Sequence, residues 1–254
     1  MSVAAKVTTG SEKPDRGGRL RQVQDAKGIG VHTTPVVNGS PVGASALALG
    51  SNPAPSTPIK PTQNQRVSGY ERDPDDWYCE PAWAVELLFQ NIDFDEQSIW
   101  DPACGGGNIP RLAAEYGFDT MATDKVDRGF PAVRVVDFLS DEPCFFNYLP
   151  PRLSIVTNPP YKLTEQFIRR AMTLVDHRIA VLVPVSFMAS KARFELFTET
   201  PPSDVLILCK RPSMPPGHKI AAMGDKAFKG GMVDFCWIVW TRPHDRECRV
   251  RWVL

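Results

Sequence analysis

From Asp75 onward, short apolar runs alternate with stretches whose apolar residues recur at helical spacing. The runs SIWD (98–101), TMATD (120–124), AVRVVDF (132–138), LSIVTN (153–158), RIAVLVPVSF (178–187), DVLILCK (204–210) and MVDFCWIVWT (232–241) have the length and composition of strands. A helix is predicted within EPAWAVELLFQNI, where Trp83 and Leu87 fall on one face beside Val85, Leu88 and Phe89. Pro81 suits its first turn. Further helices are predicted over 108–116, over 163–175 and around 189–199. Strands alternating with helices predict an α/β fold, with a mostly parallel sheet and helices on both faces. A long segment without helical pattern joins the last two runs, which predicts an antiparallel pair at a sheet edge. Trp237 and Trp240, on an apolar strand, are read as core.

Residues 1–70 break this pattern. They are rich in Gly, Pro, Ser, Thr and Asn, as in VNGSPVGASALALGSNPAPSTPIKPTQNQ, and supply little apolar surface to offset chain entropy. They are read as a disordered, low-complexity arm, with a folded domain over 71–254. The chain of 254 residues has a formal charge of zero, unevenly spread. The arm carries eight Lys/Arg against three Asp/Glu, leaving 21 against 26 from the totals of 29 and 29. A basic arm on a mildly acidic body is compatible with a polyanionic partner.

The six cysteines (Cys79, Cys104, Cys144, Cys209, Cys236, Cys248) form no C-x-x-C pair and no ligand-spaced set with the four histidines, so no metal is expected. The sequence shows neither a secretory signal nor a transmembrane run. Reduced thiols in a soluble cytoplasmic protein, with no membrane partner, are the expectation.

The chemistry concentrates where predicted strands end. DPACGGGNIP (101–110) places three glycines between a strand and a helix, allowing a tight turn and close approach of a ligand. It matches neither the Walker A nor the G-x-G-x-x-G pattern. The second strand ends at Asp124, about where open α/β sheets place an acid against ribose hydroxyls, although taken alone an ordinary strand-end Asp is the simpler reading. Asp137-Phe138 sets an acid beside an aromatic, suited to an adenine amino group and ring; a turn Asp beside a core Phe fits equally. The fourth run ends in Asn158-Pro159-Pro160-Tyr161. Two prolines remove two backbone donors and fix φ, so rigid acceptors stand beside an aromatic ring. That arrangement suits a flat group carrying NH2.

Together these residues resemble the class I S-adenosylmethionine-dependent methyltransferases, specifically the amino-methyltransferases of DNA. Asn-Pro-Pro-Tyr is similar to their catalytic signature, DPACGGGN to their cofactor loop, and DDWYCEP to the segment preceding that loop in N6-adenine enzymes. Small phage-encoded adenine methyltransferases are the most similar, also in KRPSMPPG and the tryptophan-bearing last strand. The resemblance covers about residues 71–241 and implies a Rossmann-like, mostly parallel seven-stranded sheet with an antiparallel last strand. It implies S-adenosylmethionine as cofactor, held by Tyr78, Pro81, Asp101, Ala103, Gly105, Gly107, Asp124, Asp137, Phe138 and Asn158. Asn158, Pro159, Pro160 and Tyr161 would be catalytic. Glu80 departs from the usual Tyr-x-Thr-Pro.

An aromatic or amide NH2 is a poor nucleophile because its lone pair is delocalised. The Asn158 side-chain oxygen and the Pro159 carbonyl would accept its hydrogens and turn the lone pair toward the sulfonium methyl. Positioning then dominates, with proton loss after transfer. Tyr161 would stack on the acceptor ring. An adenine in duplex DNA would have to be flipped out. RNA adenine and a protein glutamine amide also present a planar NH2, and a non-catalytic nucleic-acid-binding relative is a further alternative. The loop KRPSMPPGHKIAAMGDKAFKGG (210–231) holds Lys210, Arg211, Lys219, Lys226 and Lys229 against Asp225, and suits contact with phosphates without sequence readout; a solvated basic loop fits equally. A short or relaxed target site follows, as does a monomer working in the cytoplasm, a host's if phage-encoded.

Overall fold

Strands β5 (Arg178–Pro184) and β7 (Phe235–Thr241) are apolar at nearly every position, so both of their faces must be covered. The computed structural model, which describes residues 73–95, 98–140, 147, 149–244 and 247–254, meets that demand. Along β5, Ile179, Val181 and Val183 face one core while Ala180 and Leu182 face another. Helices α1 (Ala82–Asn91) and α2 (Asn108–Glu115) fill the second core. Helices α3 (Thr164–Leu174) and α4 (Lys191–Glu199) fill the first. The expected low-complexity arm, 1–70, and Cys144 lie outside the described residues.

The remaining strands are β1 (Ser98–Asp101), β2 (Asp119–Asp124), β3 (Arg134–Val135), β4 (Leu153–Thr157), β6 (Asp204–Leu208) and β8 (Arg249–Val253). They form a single sheet in the order β3-β2-β1-β4-β5-β7-β6-β8. All neighbours are parallel except β5 with β7 and β6 with β7. The α/β sheet with helices on both faces is thus as predicted.

Four details differ from the sequence expectation. The sheet has eight strands rather than seven, and the antiparallel β7 lies inside it, between β5 and β6, rather than at an edge. The added strand RVRWV reads as polar because of Arg249 and Arg251, yet both pair with the buried Asp204, at 3.3 and 3.0 Å. The third run shrinks to two residues, because Asp137 accepts from the Leu139 backbone N–H at 3.0 Å and turns the chain out of the ladder. The segment between β6 and β7 is not devoid of helix. It winds through short turns at Gly217–Lys219 and Gly224–Lys226 around α5 (Ile220–Met223).

Trp237 and Trp240 are buried as core residues. Trp237 also fastens α1 to β7, its indole N–H donating to the Ala84 carbonyl at 2.7 Å. From β1 the chain runs outward to β3 on one side and then crosses to β4 on the other. The carboxyl ends of β1 and β4 therefore border the point where the strand order reverses, the place where open α/β sheets bind ligands.

Candidate functional site

A cavity of about 370 Å3 opens at this reversal point. Loops following β1, β2, β3 and β4 form its floor. Its outer wall is the segment 73–80, which runs into α1. The floor is built around Asp124. Its Oδ2 accepts from the Gly105 N–H at 2.9 Å and its Oδ1 from the Val126 N–H at 3.0 Å. Gly105 has φ +51° and Gly107 has φ +82°, so both occupy the left-handed region that a side chain disfavours. Asp101 is buried behind this loop and receives the Ala103 N–H at 3.1 Å.

The wall is a strap tied at several points. Asp73 accepts from the backbone N–H groups of Asp75 and Trp77 and contacts His218 Nδ1 at 2.8 Å. The Cys79 N–H donates to the Pro215 carbonyl and the Gly217 N–H to the Trp77 carbonyl, each at 3.0 Å. The loop after β6 therefore braces the strap from outside. Arg128 clamps it from the cavity side: its guanidinium lies 4.4 Å from the centre of the Trp77 ring, 3.2 Å from Asp75 and 3.8 Å from Asp124. Lys162, just past the Asn-Pro-Pro-Tyr turn, lies 3.8 Å from Asp76.

Asn158 stands where β4 ends, and its amide is fixed by the strap. The Nδ2 group donates to the Tyr78 carbonyl at 2.8 Å and to Glu80 Oε2 at 3.0 Å. The Tyr78 carbonyl can only accept, as can Glu80 when ionised, so the amide nitrogen faces them and Oδ1 is turned away. Glu80 is held in turn by Asn108, whose Nδ2 donates to the Glu80 carbonyl at 2.9 Å. Burial away from water raises the Glu80 carboxyl to about 7. Burial also lifts Asp101 well above the usual carboxylate range, reinforced by the charge of Glu80. Cys79 is pushed up to about 12 by burial, so it is no thiolate nucleophile.

Of the residues singled out in the sequence, Tyr78, Ala103, Gly105, Asp124, Asp137, Phe138, Asn158 and Pro160 line the cavity. Pro81, Asp101, Gly107, Pro159 and Tyr161 do not; they lie behind or beside it. Tyr161 stacks on Tyr78, with ring centres 5.8 Å apart, and packs against Phe235. Its hydroxyl is buried and has no hydrogen-bond partner among the described residues. Phe138 is as much core as wall, edge-on to Trp100 and tilted against Phe167. Among the loop cations, Lys210 lies over Trp83, 4.8 Å from the ring centre, and Arg211 pairs with Asp234 at 2.6 Å. Lys226 is exposed and Lys219 half-buried; none of the four lines the cavity.

Trp77, Glu80, Arg128 and Lys162 are wall residues not named from the sequence as parts of the site. Glu80 alone had left a signal, as the departure from Tyr-x-Thr-Pro. Among the described residues, no group of three or more His, Cys, Asp or Glu side chains is placed to hold a metal ion. Nor is any helix among them long and apolar enough to cross a membrane.

No protein-family model and no curated protein matches the sequence. Three solved structures resemble this chain over part of its length. The type I restriction enzyme EcoKI M protein is 14% identical with a TM-score of 0.46, over 68% of this chain and 45% of that one. A DrdV–DNA complex is 15% identical with a TM-score of 0.43, over 69% and 27%. Magnesium protoporphyrin IX methyltransferase from Synechocystis, with bound S-adenosylmethionine, is 14% identical with a TM-score of 0.38, over 62% and 76%. The chain thus spans less than half the length of the EcoKI protein.

Proposed function

We propose that this chain is an S-adenosylmethionine-dependent methyltransferase that modifies the exocyclic N6 amino group of adenine in DNA. The observation that carries the reading is the fixed polarity of Asn158. Its nitrogen is occupied by Tyr78 and Glu80, so Oδ1 is the atom offered to an incoming group. An acceptor oxygen on a proline-stiffened turn selects for a ligand that donates hydrogen, as an amino group does.

The residues of the cavity fit the cofactor. The volume lies within the range of small-molecule sites, roughly 300–1,000 Å3. Asp124 spends one acceptor position of each oxygen on the backbone and keeps further capacity for hydroxyl groups. Asp137 and Phe138 stand together on the same wall for an amino-bearing ring. Glu80 and Asp124 set buried carboxyls in the cavity wall, where they would complement a cationic centre. When bound, S-adenosylmethionine supplies an electrophilic methyl group on a sulfonium.

The chain's own contribution is placement. Asn158 Oδ1 and the Pro159 carbonyl would accept the two hydrogens of the acceptor NH2 and hold its nitrogen pyramidal, lone pair toward the cavity. Placement of this kind substitutes for the entropy of bringing two reactants together. Tyr78, which lines the cavity and is backed by the stacked ring of Tyr161, would give a planar base a flat apolar flank. What supports a polyanionic substrate is the basic loop 210–231, which is bonded directly to the strap forming the cavity wall.

The test is transfer of labelled methyl to duplex DNA, single-stranded DNA, bulk RNA and a release factor in parallel. Label in DNA as N6-methyladenine supports the reading. Label confined to RNA or protein keeps the chemistry and replaces the substrate.

A further inference from the structure

An amide side chain has two ends of nearly equal shape and opposite hydrogen-bonding sense. Which end faces the cavity decides whether the site recognises a donor, such as an amino group, or an acceptor, such as a carboxylate or phenolate. In Asn158 that choice is made by two oxygens behind it, the Tyr78 carbonyl at 2.8 Å and Glu80 Oε2 at 3.0 Å. The backbone oxygen comes with the strap whatever its sequence. The carboxylate is specific to residue 80.

We infer that Glu80 is a positioning residue that fixes the polarity of Asn158 and so restricts the acceptor to a nucleophile carrying hydrogen. The inference rests on the proposed role of Asn158 as the acceptor-facing residue. Its support is geometric. Glu80 is buried, its backbone is anchored by Asn108 at 2.9 Å, and its carboxyl oxygen lies 3.0 Å from the amide nitrogen. An ionised carboxylate can only accept, so it excludes the flipped amide outright. A protonated one can also donate, and then only the Tyr78 carbonyl still opposes the flip. The titratable groups that face Glu80 are Asp101 at the end of β1, Cys104 in the glycine loop, Cys79 on the strap and Tyr161 beyond Asn158.

The experiment exchanges donor and acceptor across the pair. Assayed at alkaline pH, where Glu80 is ionised, Asn158→Asp puts an oxygen where Nδ2 stood, so three acceptors confront one another. Glu80→Gln, which is isosteric, restores a donor between them. The expected result is that Asn158→Asp lowers kcat by about 100-fold or more, and Glu80→Gln alone by less than about 10-fold. The double variant should regain at least roughly 10-fold over Asn158→Asp. Additive losses in the double variant would overturn the inference, because a merely structural glutamate has no reason to rescue an aspartate.

A second readout needs neither cofactor nor acceptor. The side-chain NH2 resonances of Asn158, followed by 15N–1H NMR, should shift as Glu80 titrates, and the response should vanish in Glu80→Gln. An NH2 signal indifferent to both pH and the substitution would also overturn it. If the wild type moved no methyl group to any amino-bearing substrate, the functional reading would fall while the NH2 signal still decided the pairing.

Discussion

The indole of Trp77 lies on the α-carbon of Gly105, so closely that a β-carbon added to that glycine would stand 2.5 Å from Nε1. Trp77 covers Gly217 in the same way, so the ring is held between two glycines and has little freedom to retreat. Gly105 also has φ +51°. Gly106, one residue on, has open space around its missing β-carbon and no positive φ. Gly105→Ala should therefore cost about 2–4 kcal/mol, combining left-handed strain with overpacking. For a domain of this size that is a fall in Tm of roughly 5–10 °C. Gly106→Ala should melt within about 2 °C of wild type. Thermal melts of the two variants side by side check this.

Arg128 joins the strap to the cavity floor through Trp77, Asp75 and Asp124. Its side chain is only 12% exposed, so these contacts are shielded from solvent. Removing it frees the strap and leaves Asp124 without its cation. Arg128→Ala should weaken S-adenosylmethionine binding roughly tenfold, as expected for a desolvated cation–π contact with an accompanying ion pair. Arg128→Lys, which keeps the charge and loses the flat fork, should fall between. Titration calorimetry measures both.

Glu80 predicts a pH dependence of stability. Burial raises its carboxyl from an ordinary 4.5 to about 7. Between those values the folded protein retains a proton that the unfolded chain has released, so stability falls as pH rises across the window and levels off above it. At about 1.4 kcal/mol per pH unit the gap corresponds to about 3 kcal/mol. Asp101, raised by burial and by the charge of Glu80, acts with the same sign. Urea unfolding at pH 5 and pH 7.5 should show wild type more stable at the lower value, and Glu80→Gln should reduce that difference.

Trp237→Phe removes the bond to the Ala84 carbonyl and leaves a void between α1 and β7. Loss of a buried hydrogen bond and of part of a ring together cost about 2–4 kcal/mol. The midpoint of urea unfolding should fall accordingly. S-adenosylmethionine affinity at low denaturant should stay within about threefold, since Trp237 does not line the cavity.

The strands and helices that bury two apolar faces were legible in the sequence, because hydrophobic run length alone marks them. β8 was not, because its arginines are neutralised by Asp204, a partner 45 and 47 residues away. The glycine loop, Asp124, Asp137 and Asn158 were legible as strand ends, and the structure brings them to one cavity. Trp77 and Arg128 were not, since their placement depends on the loop after β6 folding back onto residues 77–79. Tyr161 illustrates the limit from the other side. Its motif suggested a ring offered to substrate, whereas the ring is packed on Tyr78 and Phe235 and lies outside the cavity lining.

The central claim is that Asn158 presents an acceptor oxygen for methyl transfer to an adenine amino group. Its most direct measurement is nucleoside mass spectrometry of DNA incubated with the protein and methyl-labelled S-adenosylmethionine, with Asn158→Ala run alongside. Labelled N6-methyladenine formed by the wild type, and reduced by about 100-fold or more in the variant, is the predicted result. Equal labelling by wild type and variant, or no labelled adenine from a wild type that binds the cofactor, would contradict it.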